Sequence, residues 1–515
     1  MVFSTRMIFV VLFLCVSVTC VIAGDPTLEH EWKVTYGTIA PLGVPQQGIL
    51  INGQFPGPAI NCTSNNNIVV NVFNQLDEPF LLTWAGIQQR KNSWQDGTLG
   101  TMCPILPGKN YTYRFQVKDQ IGTYFYFPTT TALHRASGGI GMVKVHSRPL
   151  IPVPFDNPAE EYPVLLGDWF NKGHKSLKTI LDSGRSIGRP DGIQINGQSS
   201  KVGDANAKPL FTFEAGKTYR FRVCNVGLRL SVNFRVQGHT MKVVEVEGSH
   251  TVQNVYDSLD LHVGQCMSVL VTADQTPKDY YFVASSRFAQ HPLSTVAVIR
   301  YANGNGAASP DLPPPPAENT KGIAWSISQF RSFRWNLTSN AARPNPQGSY
   351  KYGRSTSHAP SRLQTLALPP MASSDLASTV CRMWTPRPQN FVEIIFENHE
   401  KAIQSWHLDG FSFFAVAIEP GRWSPEKRKN YNLLDALSRN TIQVYPNSWA
   451  AVMTTLDNAG MWNLRSEMRE RSYLGQQLYL SVVSEARSLR DEYSLPETQE
   501  LCGIVKSLPK PAPYT

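Results

Sequence analysis

Asn67-Ile-Val-Val-Asn-Val-Phe-Asn74, Thr218-Tyr-Arg-Phe-Arg-Val-Cys-Asn225 and Phe391-Val-Glu-Ile-Ile-Phe-Glu-Asn398 are three copies of one pattern. Each follows turn residues, runs in apolar/polar alternation and stops on Asn. Alternation of period two marks a strand with one buried face. The copies lie 151 and 173 residues apart, so the fixed terminal Asn points to a repeated domain rather than three unrelated strands. A second repeat agrees: Gly48-Ile-Leu-Ile-Asn-Gly-Gln54 returns as Gly192-Ile-Gln-Ile-Asn-Gly-Gln198, 144 residues later.

The breaks between copies fall where the composition turns to proline. Ser147–Pro163 carries five prolines, and residues 303–322 form a Pro/Gly-rich linker with four prolines in a row. Outside these breaks short alternating runs dominate: Asn110–Val117, Thr123–Phe127, Phe211–Phe213, Met267–Thr272, Tyr280–Ala284, Thr295–Tyr301, Thr441–Val444 and Gln477–Val482. Helical periodicity is scarce, and the best helix candidate is a short one from Ser424 with Pro425 in its first turn. The expected architecture is all-β: three antiparallel Greek-key β-sandwiches or barrels, over residues 24–148, 149–302 and 323–515.

The first 23 residues read as a signal peptide. Arg6 is the only charge before Asp25, and Met7–Ile22 is a largely apolar run closed by Ala23-Gly24. A largely apolar run of sixteen residues falls short of the ~20 that a membrane span needs. No second such run follows, and the C-terminus lacks the apolar tail of a lipid-anchor signal. The expected mature protein is secreted, with no transmembrane or lipid anchor. Lys and Arg number 48 against 39 Asp and Glu, and loss of Arg6 leaves a net charge of +8. That excess is spread thinly, which argues against nucleic acid as a partner and favours acidic polysaccharide such as pectin.

Six cysteines remain beyond the signal: Cys62, Cys103, Cys224, Cys266, Cys381 and Cys502. None has another within four residues, so zinc and redox Cys-x-x-Cys spacings are absent, and disulfides are expected in an oxidising compartment. Their pairing stays open at this level. Asn61-Cys-Thr, Asn110-Tyr-Thr and Asn336-Leu-Thr are glycosylation sequons.

Four stretches resemble the copper motifs of multicopper oxidases. They are Leu82-Thr-Trp-Ala-Gly-Ile87 with Trp94-Gln-Asp-Gly-Thr98, Gly122-Thr-Tyr-Phe-Tyr-Phe-Pro-Thr129, Gln404-Ser-Trp-His-Leu-Asp-Gly-Phe411, and Gly460-Met-Trp-Asn-Leu-Arg-Ser-Glu-Met-Arg-Glu-Arg471. With Asn52-Gly-Gln-Phe-Pro-Gly-Pro58 the resemblance spans nearly the whole mature chain. It is to plant ascorbate oxidases and laccases, and within these to the secreted, pollen-expressed homologues of the skewed-growth group. It implies three cupredoxin-like domains, a place in the cell wall and a part in pollen tube growth. It also implies a disulfide between Cys103 and Cys502, and a Cys62–Cys224 link between the first two domains. Cys266 and Cys381 are then left over.

In that family four His-x-His pairs hold a three-copper cluster, and two His with one Cys and a weak axial ligand hold a blue copper. At the corresponding positions this chain has Thr83 and Ala85, Phe127 and Thr129, then Gln404, His407 and Asp409. The last motif contributes Arg465, Ser466, Glu467, Arg471 and, at the axial place, Gln476. Only His407 keeps a ligand side chain, and none of the 11 histidines forms a His-x-His pair. Copper serves active family members; here no cofactor, metal ligand or catalytic residue is expected. Asp409, Arg465 and Glu467 are instead expected to converge as an acid–Arg–acid group between the first and third domains, with Phe127 filling volume. The competing readings are a copper-dependent oxidoreductase of the ascorbate oxidase type, a glycoside hydrolase using Asp409 and Glu467, and a binding or scaffold module.

Overall fold

In each third of the chain the Asn-terminated strand lies inside a sheet, with a parallel neighbour on one side and an antiparallel neighbour on the other. Asn67–Asn74 sits between Thr27–Ile39 and Asn110–Gln116. Thr218–Asn225 sits between Glu160–Trp169 and Cys266–Thr272. Phe391–Asn398 sits between Leu366–Ala367 and Ser448–Thr455. These relations come from a computed structural model that describes residues 25–336, 366–367, 380–382, 391–484, 487–497 and 499–513. The signal-like segment 1–23 lies outside the described residues.

The three asparagines explain why the pattern ends as it does. Each is wholly buried, at 0% exposure. Each side-chain oxygen accepts the backbone N–H two residues on, at Leu76, Gly227 and Glu400. Each side-chain amide donates twice. One bond goes to a nearby carbonyl (Glu78, Leu230, Ala402) and one to a distant carbonyl (Ile105, Leu261, Val444), all at 2.8–3.0 Å. The residue therefore satisfies three backbone groups where a strand leaves its ladder inside the core. No apolar side chain can do this, and Asp lacks the donors.

The second repeat has a matching account. Asn52 and Gly53, like Asn196 and Gly197, all take positive φ, the backbone of a two-residue hairpin turn. Asn52 accepts from Lys33 N and donates to Glu31 O, and Asn196 accepts from Leu165 N and donates to Pro163 O. The turn is thereby tied to the neighbouring long strand in both copies.

The chain is all-β with three domains, each of two sheets. The first has Gln46–Ile51, Thr27–Ile39, Asn67–Asn74, Asn110–Gln116 facing Ile60–Thr63, Gly141–His146, Gly122–Pro128, Leu82–Ala85. The second domain pairs a seven-stranded with a five-stranded sheet, and the third has two five-stranded sheets. The sheets are mixed rather than antiparallel: among the described residues each of the six contains one parallel pair.

Helix is more plentiful than the sequence suggested. The Ser424 candidate is a short 3-10 segment, Pro425–Asn430, with no buried residue. Two α-helices instead bind the domains together. Helix α1, His174–Asp182, buries His174, Leu177 and Leu181, one stripe at helical spacing. Helix α2, Thr320–Ser332, begins at Asn319, whose side chain accepts from Lys321 N and Gly322 N. It takes in the last three residues of the proline-rich segment. The rest of that segment is pinned rather than loose: Arg235 donates to Pro313 O, Gln237 to Ser309 O and Asp311 O, and Arg287 to Ala317 O.

The cysteines correct one expected pairing. Cys103–Cys502 is bridged, 399 residues apart. Cys224 pairs with Cys266, not Cys62, because the strands carrying them set the two residues directly opposite, with Cα atoms 4.1 Å apart. Cys62 is a free, buried thiol that donates to Lys144 O, and burial raises it to about 12. Cys381 stands on strand Val380–Arg382, and its side chain lies outside the described residues.

Replacing Asn225 with Ala leaves three buried backbone groups without partners. It should lower the thermal midpoint by roughly 5–10 °C. Scanning calorimetry showing a shift below ~2 °C would mean that water takes over the bonds.

Candidate functional site

The strands that carry the copper-motif positions end together where the three domains meet. Gly122–Pro128 delivers Phe127 from the first domain, and Gln404–Leu408 and Gly460–Ser466 deliver His407 and Arg465 from the third. Asp409 and Glu467 follow one residue past those strand ends. Loops of the second domain close the group: Arg469 N donates to Leu228 O, and Arg135 donates to Gly227 O.

Arg465 stands at the centre. Its Nη1 bonds Asp409 Oδ2, and its Nε lies 3.2 Å from Glu467 Oε1. The other Glu467 oxygen is held by Arg135 Nη1 at 2.9 Å, and Arg469 Nη1 stands 3.8 Å from Oε1. The second Asp409 oxygen is 3.0 Å from His407 Nε2, whose Nδ1 is in turn 3.0 Å from Thr441 Oγ1. Guanidinium carbons of Arg135, Arg469 and Arg465 lie 4.7, 5.1 and 5.9 Å from the centre of the Phe127 ring. Phe127 thus fills the middle and offers its π face to three cations.

Asp409, Arg465 and Glu467 are buried, so the expected acid–Arg–acid convergence holds and the group is not solvated. Arg135 and Arg469 were missed in the sequence. Arg469 lies within the fourth quoted motif, but Arg135 has no signal beyond following Phe127 by eight residues.

The charges hold one another ionised. Burial opposes ionisation of Glu467, yet Arg135, Arg465 and Arg469 outweigh it and lower its carboxyl to about 2. Burial is likewise overcome at Asp409, which Arg465 and His407 hold below the carboxylate range. Asp96 moves the other way: burial and the Asp409 charge push it up. Arg469 is lowered to about 9 by burial, despite Glu467. With Asp409 and Glu467 both held low, neither can act as a general acid near neutral pH, and the paired-carboxylate hydrolase loses its proton donor.

The remaining positions divide in two. Thr83 and Thr129 donate to the carbonyls of Asp96 and Gly97, and Ala85 packs with Phe125 and Phe127 at the domain seam. Gln404, Ser466, Arg471 and Gln476 are buried within the third domain. Gln404 bonds Asn398 and Trp406, and Arg471 Nη1 bonds Glu400 at 2.9 Å. Ser466 Oγ and both side-chain polar atoms of Gln476 have no hydrogen-bond partner.

As a donor set for copper, neither group fits. The central carboxylates are spent on guanidiniums, three cations stand where a cation would bind, and His407 is the single imidazole there. The second group offers amides, a hydroxyl and an arginine, with no thiolate or imidazole.

Models of multicopper oxidase domains match residues 33–150, 160–304 and 343–488. The chain belongs to the multicopper oxidase family. It is 66% identical to an L-ascorbate oxidase homolog of Nicotiana tabacum, over 99% of both chains. It is 42% identical to the monocopper oxidase-like protein SKU5 of Arabidopsis thaliana, over 96% of this chain and 93% of that one. The laccase of Botrytis aclada has the same fold, with a TM-score of 0.69 at 22% identity over 90% and 89% of the two chains.

Removing the central guanidinium leaves Asp409 and Glu467 buried without their shared partner. Arg465→Ala should cost about 3–5 kcal/mol in denaturant unfolding. Unchanged unfolding would mean that the group is not structural.

Glu467 gives a pH signature. Its carboxyl protonates near 4.5 when unfolded and about 2 when folded, so its contribution is complete above pH 4.5 and is lost as pH falls towards 2. Glu467→Gln should be less stable at pH 7 and show a flatter acid limb than the parent in pH-dependent melting.

Proposed function

We propose that this family member works without copper, as a secreted, glycosylated, non-enzymatic protein of the expanding plant cell wall, with pollen tube growth as its setting. The observation that carries the reading is the Asp409–Arg465–Glu467 group around Phe127. Family members use these positions to hold metal; here they are occupied by carboxylates whose oxygens are already bonded to guanidiniums and an imidazole. Replacement of the thiolate position by Ser466 removes the family's entry point for electrons. The signal-like N-terminus and the exposed sequon residues Asn61 and Asn110 support the secreted, glycosylated part. Among the described residues no helix is long and apolar enough to cross a membrane.

The test is metal analysis of the secreted chain together with oxygen uptake on ascorbate. The expected result is no blue absorption, no copper held at the cluster positions and no ascorbate-dependent oxygen consumption. Stoichiometric copper with oxygen consumption would establish the oxidase instead.

Without a reaction, the protein's role rests on what it binds. The net charge of +8 on the mature chain favours acidic wall polymers such as de-esterified pectin. Retention on such pectin should be strong at low ionic strength and fall steeply by about 0.15 M salt, where the Debye length is ~8 Å. Absent or salt-insensitive retention excludes this partner.

A further inference from the structure

Away from the copper-motif positions, two histidines and a glutamate from three separate segments meet where the first two domains touch. Glu78 lies in the loop that Asn74 ties down through the Glu78 carbonyl. His134 opens the 3-10 turn His134–Ser137, and His174 opens helix α1 of the second domain. Their ligand atoms all lie within 4.8 Å of one another. His174 Nε2 is 2.6 Å from Glu78 Oε1, and His134 Nε2 is 3.3 Å from Glu78 Oε2. We propose that Glu78, His134 and His174 form a binding site for a divalent zinc-type cation that clasps the first domain to the second.

Three observations carry this. First, His134 is about 1% exposed, its Nδ1 has no hydrogen-bond partner, and its Nε2 faces the Glu78 carboxylate at 3.3 Å without forming a well-aligned hydrogen bond. A buried imidazole held by one loose contact recovers little of its lost hydration, unless something else fills the place. Second, two imidazoles and one carboxylate are a common donor set for zinc, with an open fourth position. At ligand distances of about 2.0–2.2 Å, a tetrahedral ion sets donors roughly 3.3 Å apart. His134 and Glu78 already stand at that spacing. The shorter His174–Glu78 contact is a hydrogen bond whose proton an ion would replace.

Third, the surroundings hold the ligands as an outer shell does. Ser137 Oγ lies 2.8 Å from His174 Nδ1 and fixes the ring with Nε2 towards Glu78. Tyr36 donates its hydroxyl to Glu78. Beneath, Leu133, Ala136, Phe170, Leu177 and Leu181 pack the turn against α1 and hold the imidazole rings 4.6 Å apart, edge to face. The Glu78 side chain is 20% exposed and provides the path in. Lys175 is the cation facing the site, 4.0 Å from Glu78 Oε1, and it is paired with Asp77 at 2.9 Å.

The test uses the full secreted chain, stripped with chelator and titrated with zinc sulfate alone. One zinc per chain and a raised thermal midpoint are expected. His134→Gln, His174→Gln and Glu78→Gln should each weaken binding by more than the ~10–100-fold that loss of an outer-shell partner costs. Failure of the parent to bind zinc, or equal binding by folded variants, overturns the proposal and leaves a hydrogen-bonded His–Glu–His group. Cobalt(II) on the unmutated chain gives a readout that does not depend on variants folding. The visible absorption of a tetrahedral ion supports the site, and the spectrum of the free aquo ion overturns it. Copper(II) competes for these donors. Copper that disappears in His134→Gln therefore belongs here, and copper that persists belongs to the family positions, so the two proposals fail separately.

Discussion

The joint of this molecule is one buried guanidinium held between two buried carboxylates. Arg465 links Asp409 to Glu467, Arg135 reaches Glu467 from the first domain, and the second domain supplies the carbonyls of Gly227 and Leu228. A buried charge is tolerated only when it is paired and its remaining donors are bonded. The three domains therefore cannot separate here without stranding charge. The same device recurs at the other seams. Fully buried Arg222 bonds Glu161 and reaches Thr123 of the first domain. Arg287 bonds Asp260 and the carbonyls of the proline-rich segment, and Arg439 faces Glu247, whose Oε2 accepts from Asn440 N.

This arrangement bears on function through packing. In the third domain the Ser466 and Gln476 side chains remain unpartnered, whereas both central carboxylates are bonded through each oxygen, although Arg135 Nε, Arg465 Nη2 and Arg469 Nη1 lack hydrogen-bond partners. On the proposed reading, a cavity that relatives use to hold metal has become a structural joint. Substitution at such a place is constrained by charge pairing. Phe127 cannot be lost without exposing three guanidiniums to an empty space, and no single carboxylate can be neutralised without unpairing an arginine. The His–Glu–His group shares the turn His134–Ser137 with this joint: His134 faces Glu78, and the next residue, Arg135, reaches Glu467.

Much of this was legible because it is local or repeated. The terminal Asn of each strand and the Asn-Gly turns signal themselves, since each does its work within a few residues and then at one distant carbonyl. The convergence of Asp409, Arg465 and Glu467 was legible only through the family resemblance, which set all three around one site; the structure supplies the reason, with His407, Asp409 and Arg465 on or beside neighbouring strands of one sheet. Helices α1 and α2 were not. Their apolar stripes are short, and each is stabilised by packing against another domain rather than by its own periodicity. Arg135 and Arg469 escaped notice because an arginine with no pattern around it reads as a solvated charge until the fold surrounds it.

The sequence by itself determined the number of domains, their all-β character and the stretches that resemble the family's motifs, because these depend on pattern and position along the chain. Only the tertiary structure decided which groups meet across it. Cys224 faces Cys266 by strand register, while Cys62 is left as a buried thiol. Glu78, His134 and His174, spread over nearly a hundred residues, share one small volume. Partner choice of this kind depends on distances between segments far apart in the chain, and those are fixed only when the sheets have packed.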